Sequence, residues 1–416
     1  MIKRKLFLPL KKHLLRNEIS LIVGPRQAGK TTMMLFLKRY LQDKGAKTLF
    51  LSLDFESDRP HFSSQRSLIN KLRLEFGDQK GYVFIDEIQR KENAGLFLKG
   101  IYDLKLPYKF IVSGSGSLEL KEKIHESLAG RKRLFELSTL SFDEFIDFKT
   151  DYRYSDKLSD LFSVEEELTR ELLREYLNFG GYPKVVLEAE LQEKIQIIDE
   201  IYRSYLERDI AYFLNIGKID AFSSLVRILA SQIGQIINFS ELSSTIGISA
   251  KTVKNYFWFL QKTFILHEVK PFFRNIRKEI KKSPVCYFYD LGLRNYAVGL
   301  FGNIEIPGQT GFLFQNMIYN LLKDHTSFSP VNIHFWRTKD KAEVDFILDF
   351  GPKVIPVEVK YKDLKRPTVG KSLRSFIKKY EPQEAWIVNL NYKTEIKLEQ
   401  TIIKFMPFYE LIVGLN

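Results

Sequence analysis

The residues best suited to chemistry are Gly24-Pro25-Arg26-Gln27-Ala28-Gly29-Lys30-Thr31-Thr32, an uninterrupted G-x-x-x-x-G-K-[ST]. Gly24 and Gly29 let the backbone curl until its N–H groups face an anion. Lys30 would neutralise the charge of a β- or γ-phosphate, and the Thr31 hydroxyl would ligate Mg²⁺. A glycine turn that binds nothing is the bland alternative. Against it stand the Lys-Thr pair and its setting. An apolar run, Ser20 to Val23, leads in, and a helical pattern from Thr31 to Asp43 leads out, which aims a helix dipole at the same anion.

A second group lies about 55 residues on, in Gly81-Tyr82-Val83-Phe84-Ile85-Asp86-Glu87. An apolar strand ending in two carboxylates is weak evidence alone and strong evidence at this distance from a phosphate loop. Asp86 would hold Mg²⁺, and Glu87 would orient or deprotonate an attacking water. Lys109 to Val112 reads as a further buried strand that ends at Ser113-Gly114-Ser115-Gly116-Ser117. Ser113 could sense the γ-phosphate, or the segment could be a Ser/Gly turn. Arg131 could stabilise transition-state charge in its own site or in that of a neighbouring copy, which would make a homo-oligomer; a surface salt bridge is the alternative.

A third group falls in the last third of the chain. Strand alternation puts Glu343 and Asp345 on one face, and Glu358 and Lys360 on one face. A short hairpin between the two strands would bring Asp345, Glu358 and Lys360 together. This resembles the metal site of restriction-endonuclease-like folds, in which carboxylates hold Mg²⁺ and a lysine stabilises hydroxide or the scissile phosphate.

The elements that must position these groups are legible in outline. Residues 5 to 17 read as a short basic amphipathic helix, and Leu49 to Asp54 as a strand. Residues 151 to 235 show a helical period, broken at Asn178-Phe179-Gly180-Gly181-Tyr182-Pro183. Phe239 to Leu242 opens a short helix, Gly247 can take positive φ, and Ser249 can cap the next helix. Val253, Tyr256, Phe257 and Leu260 share one face of that helix, a helix-turn-helix pattern. Lys251, Lys254 and Asn255 project from the other face, where a recognition helix meets DNA. Lys270, Arg274, Arg277, Lys278, Lys281 and Lys282 follow as a wing that could reach phosphates. A winged helix that only packs against protein is the alternative.

At 416 residues the chain is long for one core, so two or three domains are expected. An apolar fraction of 44% suits a globular protein. The net charge of +13 favours an anionic partner such as nucleic acid, unless it serves only solubility. A single cysteine, Cys286, excludes an intramolecular disulfide and a cysteine zinc site. It suits a reducing cytoplasm. No apolar run has the length of a membrane span, and Leu6 to Leu10 is too short for a signal-peptide core, so a cytoplasmic location and no membrane partner are expected.

The loop at Gly24–Thr32, Phe84-Ile85-Asp86-Glu87-Ile88-Gln89, Ser127-Leu128-Ala129-Gly130-Arg131 and Leu140-Ser141-Phe142-Asp143-Glu144-Phe145 together resemble a family of bacterial and archaeal ATPases of the AAA superfamily, which carry a C-terminal domain of unknown function. The Gly180-Gly181-Tyr182-Pro183 turn and Tyr205-Leu206-Glu207-Arg208-Asp209-Ile210 also resemble motifs of that family. The resemblance implies an α/β chain: an AAA-type P-loop ATPase domain over 1–150, a helical connector over 151–235, a winged helix over 236–283, and a restriction-endonuclease-like α/β domain over 284–416. It implies ATP and Mg²⁺ as cofactors. At the position where the family places a glutamate on the helix before the nuclease-like strands, this chain has Gln315, a weaker Mg²⁺ ligand. Two functions are therefore expected as alternatives: a DNA-binding ATPase with a nuclease-like domain, or a nucleotide-dependent switch or scaffold that binds a protein partner.

Overall fold

The computed structural model describes residues 2–115, 127–205, 219–274, 282–304, 308–326 and 329–414. The first unit is a five-stranded sheet of β1 (Ile19–Gly24), β2 (Thr48–Ser52), β3 (Gly81–Asp86), β4 (Tyr108–Ser115) and β5 (Lys132–Glu136). Its order is β2-β3-β4-β1-β5, and every pairing is parallel. A parallel sheet is covered on both faces, so its central strands read as continuous apolar runs. Accordingly Leu21 and Val23 of β1 pack with Leu68 and Leu98 on one side. Ile22 packs with Met34 and Leu37 on the other. Helices α1 (Phe7–His13), α2 (Lys30–Gln42), α3 (Gln65–Phe76) and α4 (Ala94–Asp103) provide those layers. Helix α1 is shorter than the expected 5–17. Strand β4 runs to Ser115, so Ser113 is a fully buried strand residue rather than part of a turn.

Helix α5 (Phe142–Lys149) opens with a capping box of Ser141 and Glu144. The connector follows as α6 (Leu158–Val164), α7 (Glu166–Phe179), α8 (Pro183–Leu187), α9 (Leu191–Arg203) and α10 (Ile219–Ser231). Next come α11 (Phe239–Ile246) and α12 (Ala250–Lys262). Gly247 ends α11 at φ 74, and the Ser249 hydroxyl accepts the Thr252 N–H at 3.1 Å to start α12. Strands β6 (Leu266–Val269) and β7 (Val285–Phe288) form an antiparallel pair. The pair spans the boundary expected at 283, because β7 closes on β6 before α13 (Leu291–Ala297) begins.

The C-terminal part consists of α14 (Gln309–Thr326), a six-stranded mixed sheet, α15 (Lys371–Tyr380) and α16 (Glu410–Gly414). The strands are β8 (Asn332–Arg337), β9 (Glu343–Asp349), β10 (Val354–Val359), β11 (Glu384–Asn389), β12 (Thr394–Leu398) and β13 (Thr401–Pro407), in the order β12-β13-β11-β10-β9-β8. One apolar core runs from Leu140 through Leu177, Phe257 and Phe314 to Ile412. The connector, the helix pair and one face of the C-terminal sheet thus share one apolar core.

Candidate nucleotide site

The site lies where β1, β3 and β4 end. Gly24 closes β1, and a Cβ there would stand 2.0 Å from the Leu137 carbonyl oxygen, so only glycine fits. Gly29, at φ 96, is the residue before α2, and no side chain caps that helix start. Lys30 is 6% exposed, and its Nζ donates to Gly24 O at 3.1 Å and Pro25 O at 2.7 Å.

The carboxylates meet the loop as their spacing suggested. Thr31 Oγ1 donates to Asp86 Oδ2 at 2.8 Å. Ser113 Oγ donates to Asp86 Oδ1. The Glu87 N–H in turn donates to Ser113 Oγ at 3.2 Å. Glu87 adopts φ 57, and Gln89 Nε2 donates to its carboxylate. Burial pushes the Glu87 carboxyl up from its ordinary value, against the pull of Lys30. A carboxylate so raised is a better proton acceptor near neutral pH. Thr31 Oγ1 and Asp86 are hard oxygen donors side by side, a set that fits Mg²⁺. Thr32 is exposed at the helix start, and Gln27 holds φ 58 in the loop.

Arg131 forms the salt bridge that was the alternative to a catalytic role. Its carbonyl accepts from Ile19, the first residue of β1, at 2.9 Å. Because β5 runs parallel to β1, the residue before β5 sits at the opposite end of the sheet from Gly24. Its guanidinium instead holds Asp103 at 2.7 Å. Arg131 therefore does not reach the phosphate loop of its own chain.

The C-terminal group also converges. Phe346 pairs with Val357 in the β9–β10 register, which sets Asp345 against Glu358. Asp345 accepts from Gln315 Nε2 at 2.8 Å and from the Val359 N–H at 2.7 Å. Burial, with the neighbouring Glu358 charge, pushes Asp345 up to about 7. Lys360 Nζ pairs with Glu358 Oε1 at 2.5 Å. The other Glu358 oxygen is buried with no hydrogen-bond partner among the described residues. Burial lowers the Lys360 ammonium, yet Glu358 more than offsets it and the net shift is upward. Among the described residues, no group of three or more His, Cys, Asp or Glu side chains is arranged to hold a metal.

On α12, Lys251, Lys254 and Asn255 are exposed, and Lys254 Nζ lies 5.7 Å from the Phe239 ring centroid. Arg274 is exposed beside Tyr380, at 5.6 Å. Arg277, Lys278 and Lys281 lie outside the described residues, as do residues 206–210 of the tyrosine motif and 116–117 of the Ser/Gly stretch.

Sequence reasoning missed Arg4, which donates to the loop carbonyl of Ala28 at 3.0 Å and to Glu144 at 2.9 Å. No local pattern signals it, because Glu144 is 140 positions away. It also gave Tyr205 no role, although its hydroxyl accepts the loop N–H of Arg26 at 3.0 Å.

Residues 16–146 match the AAA domain family, 170–303 a domain of unknown function (DUF8612), and 310–411 another (DUF4143). An uncharacterized protein of Haemophilus influenzae is 25% identical over 355 residues, 83% of this chain and 82% of its own. One of Methanocaldococcus jannaschii is 24% identical over 416 aligned residues, 95% of this chain and 88% of its own. Among solved structures, the replication initiator DnaA bound to AMPPCP and single-stranded DNA covers 63% of this chain and 90% of that one, at 13% identity and a TM-score of 0.30, short of a shared overall shape. No helix among the described residues is long and apolar enough to cross a membrane. The phosphate loop and the parallel sheet that carries it thus fall within the segment that matches the AAA domain family, and the mixed C-terminal sheet falls within the segment that matches DUF4143.

Proposed function

We propose that this protein is a Mg²⁺-dependent ATPase whose nucleotide state is passed through the helical connector to a DNA-binding C-terminal half. The observation that carries the ATPase reading is the meeting of Thr31 and Asp86 at 2.8 Å, with Glu87 and Ser113 bonded beside them. Mg²⁺ held by Thr31 and Asp86 would spread the charge of the β- and γ-phosphates. Lys30 exchanges the Gly24 and Pro25 carbonyls for phosphate oxygens. Glu87, raised by burial and oriented by Gln89, takes the proton of the attacking water. Ser113, fixed on Asp86, keeps the two carboxylates in register.

The DNA reading is supported by the exposed Lys251, Lys254 and Asn255 on α12, by Arg274, and by the net charge of +13. Asp345, Glu358 and Lys360 support a nuclease-like site within the same half. A second reading keeps the nucleotide switch but has no cleavage and has a protein partner. Gln315 favours it, because the amide replaces a carboxylate and occupies Asp345 Oδ1. The shared core supports a division into an ATPase unit and a C-terminal half that holds the connector, the helix pair and the nuclease-like sheet.

The test is ATP turnover with Mg²⁺, with and without duplex or single-stranded DNA, while DNA integrity is followed in the same tubes. DNA-stimulated hydrolysis supports the first reading, and the gel reports on cleavage. Hydrolysis indifferent to DNA, with no DNA bound or cut, favours the second. Phosphate contacts at six or more positions would weaken DNA affinity by roughly 10³-fold or more between 50 and 200 mM salt.

A further inference from the structure

The loop between Gly24 and Lys30 is held from two sides by residues outside the matched AAA segment, 16–146. From the N-terminal segment, Arg4 donates Nη1 to Ala28 O at 3.0 Å and Nη2 to Ser138 O at 2.7 Å. From the connector, Tyr205 accepts the Arg26 N–H at 3.0 Å. Tyr205 is 2% exposed and follows α9. Its hydroxyl also accepts from Tyr182 Oη at 3.4 Å, and Tyr182 is 1% exposed. Tyr182 belongs to the Gly180-Gly181 turn. That turn is fixed by Gly181 N donating to Asp290 at 2.8 Å and by Gly181 O accepting Leu140 N at 2.8 Å. Asp290 in turn caps α13, immediately after β7.

Two phenol hydroxyls inside an apolar core cost stability unless they are hydrogen-bonded. Phenylalanine would fill the same volume without that cost. The hydroxyls are useful here because one of them ends on a backbone amide of the phosphate loop. Phosphate binding by such a loop depends on N–H groups held in place before the ligand arrives. Resting on the ATPase reading above, we propose that Tyr205 is a positioning residue for the phosphate-binding loop, and that through the Arg26 amide it links nucleotide binding to docking of the helical connector. A nucleotide that favours one loop shape then favours that docking, and docking strengthens nucleotide binding by the same factor.

The test uses the full chain and ATP carrying a fluorophore on its ribose, read by anisotropy, together with amide hydrogen exchange of α9. The proteins are wild type, Tyr205→Phe, Tyr182→Phe, the double variant and Lys30→Ala. Tyr205→Phe is expected to bind the nucleotide about three- to tenfold more weakly, the loss of one hydrogen bond. Its nucleotide-induced protection of α9 should disappear. Tyr182→Phe should weaken binding less, and the double variant should bind no worse than Tyr205→Phe, since the two hydroxyls act in series. Wild-type affinity and protection in Tyr205→Phe, with Lys30→Ala unable to bind, would overturn this proposal and leave the ATPase reading intact. Normal binding by Lys30→Ala would overturn the ATPase reading instead.

Discussion

Thr31 Oγ1 and Asp86 Oδ2 are 2.8 Å apart, although 55 positions separate them in the chain. One lies in the first turn of α2 and the other ends β3, and the parallel order of the sheet brings those two ends to the same edge. That edge also receives Ser113 and the Lys30 ammonium, so a triphosphate set there would meet a cation, a hydroxyl and two carboxylates.

Lys30→Ala should abolish nucleotide binding. The variant loses the charge that opposes the phosphates, and an affinity at least about 100-fold weaker is expected from isothermal titration. Normal affinity would remove the basis for the phosphate-loop assignment.

Lys109 predicts an alkaline rise in stability. It is 4% exposed, its Nζ donates to Glu18 O, and His13 Nδ1 lies 3.3 Å away. Burial lowers it to about 8 from 10.5. Between those values the unfolded chain holds a proton that the folded chain has lost, so this group's contribution to stability improves as pH rises through the window. Below about 8 the burial cost is felt in full. Urea midpoints of wild type and Lys109→Met, compared from pH 7.5 to 10, should converge as pH rises, by at most about 3 kcal/mol. A constant difference would mean that Lys109 titrates normally in the folded chain.

Gly181→Ala should destabilise the junction between the ATPase unit and the connector. A Cβ at this position would stand 2.2 Å from the Leu140 carbonyl oxygen. The backbone must shift, and a loss of roughly 2–3 kcal/mol is expected in chemical denaturation. A neutral result would mean that the turn is free to move.

Gln315→Glu should tighten divalent-ion binding, because it adds a carboxylate where an amide now donates to Asp345. The melting temperature of this variant should rise more with Mg²⁺ or Mn²⁺ than that of wild type. The pair Asp345→Ala with Glu358→Ala should keep full ATPase activity and lose any Mg²⁺-dependent DNA cutting. Cutting that persisted would come from elsewhere.

Much of the nucleotide site could be read from the sequence because its chemistry is local. The glycine loop is contiguous, and Asp86 and Glu87 are marked by the apolar strand before them. The helix pair at Gly247 and Ser249 was equally legible, since its turn and cap are set by neighbours in sequence. The convergence of Asp345, Glu358 and Lys360 followed from strand alternation. Which alternative Arg131 takes within its own chain was not legible, because spacing after a strand does not say which edge of the sheet the residue occupies. Arg4 and Tyr205 were invisible as loop partners because their bonds close across 24 and 179 positions. The single core joining Leu140 to Ile412 is likewise a product of packing between distant elements, which no local pattern encodes.

The most direct test of the central claim is phosphate release with Mg²⁺ by wild type and Glu87→Gln, at nucleotide concentrations where both are shown to be bound. Wild type should turn ATP over, and the variant should bind ATP while releasing phosphate roughly 10²- to 10⁴-fold more slowly. Equal rates would contradict the account, since the carboxylate at the end of β3 would then not be the group that activates water.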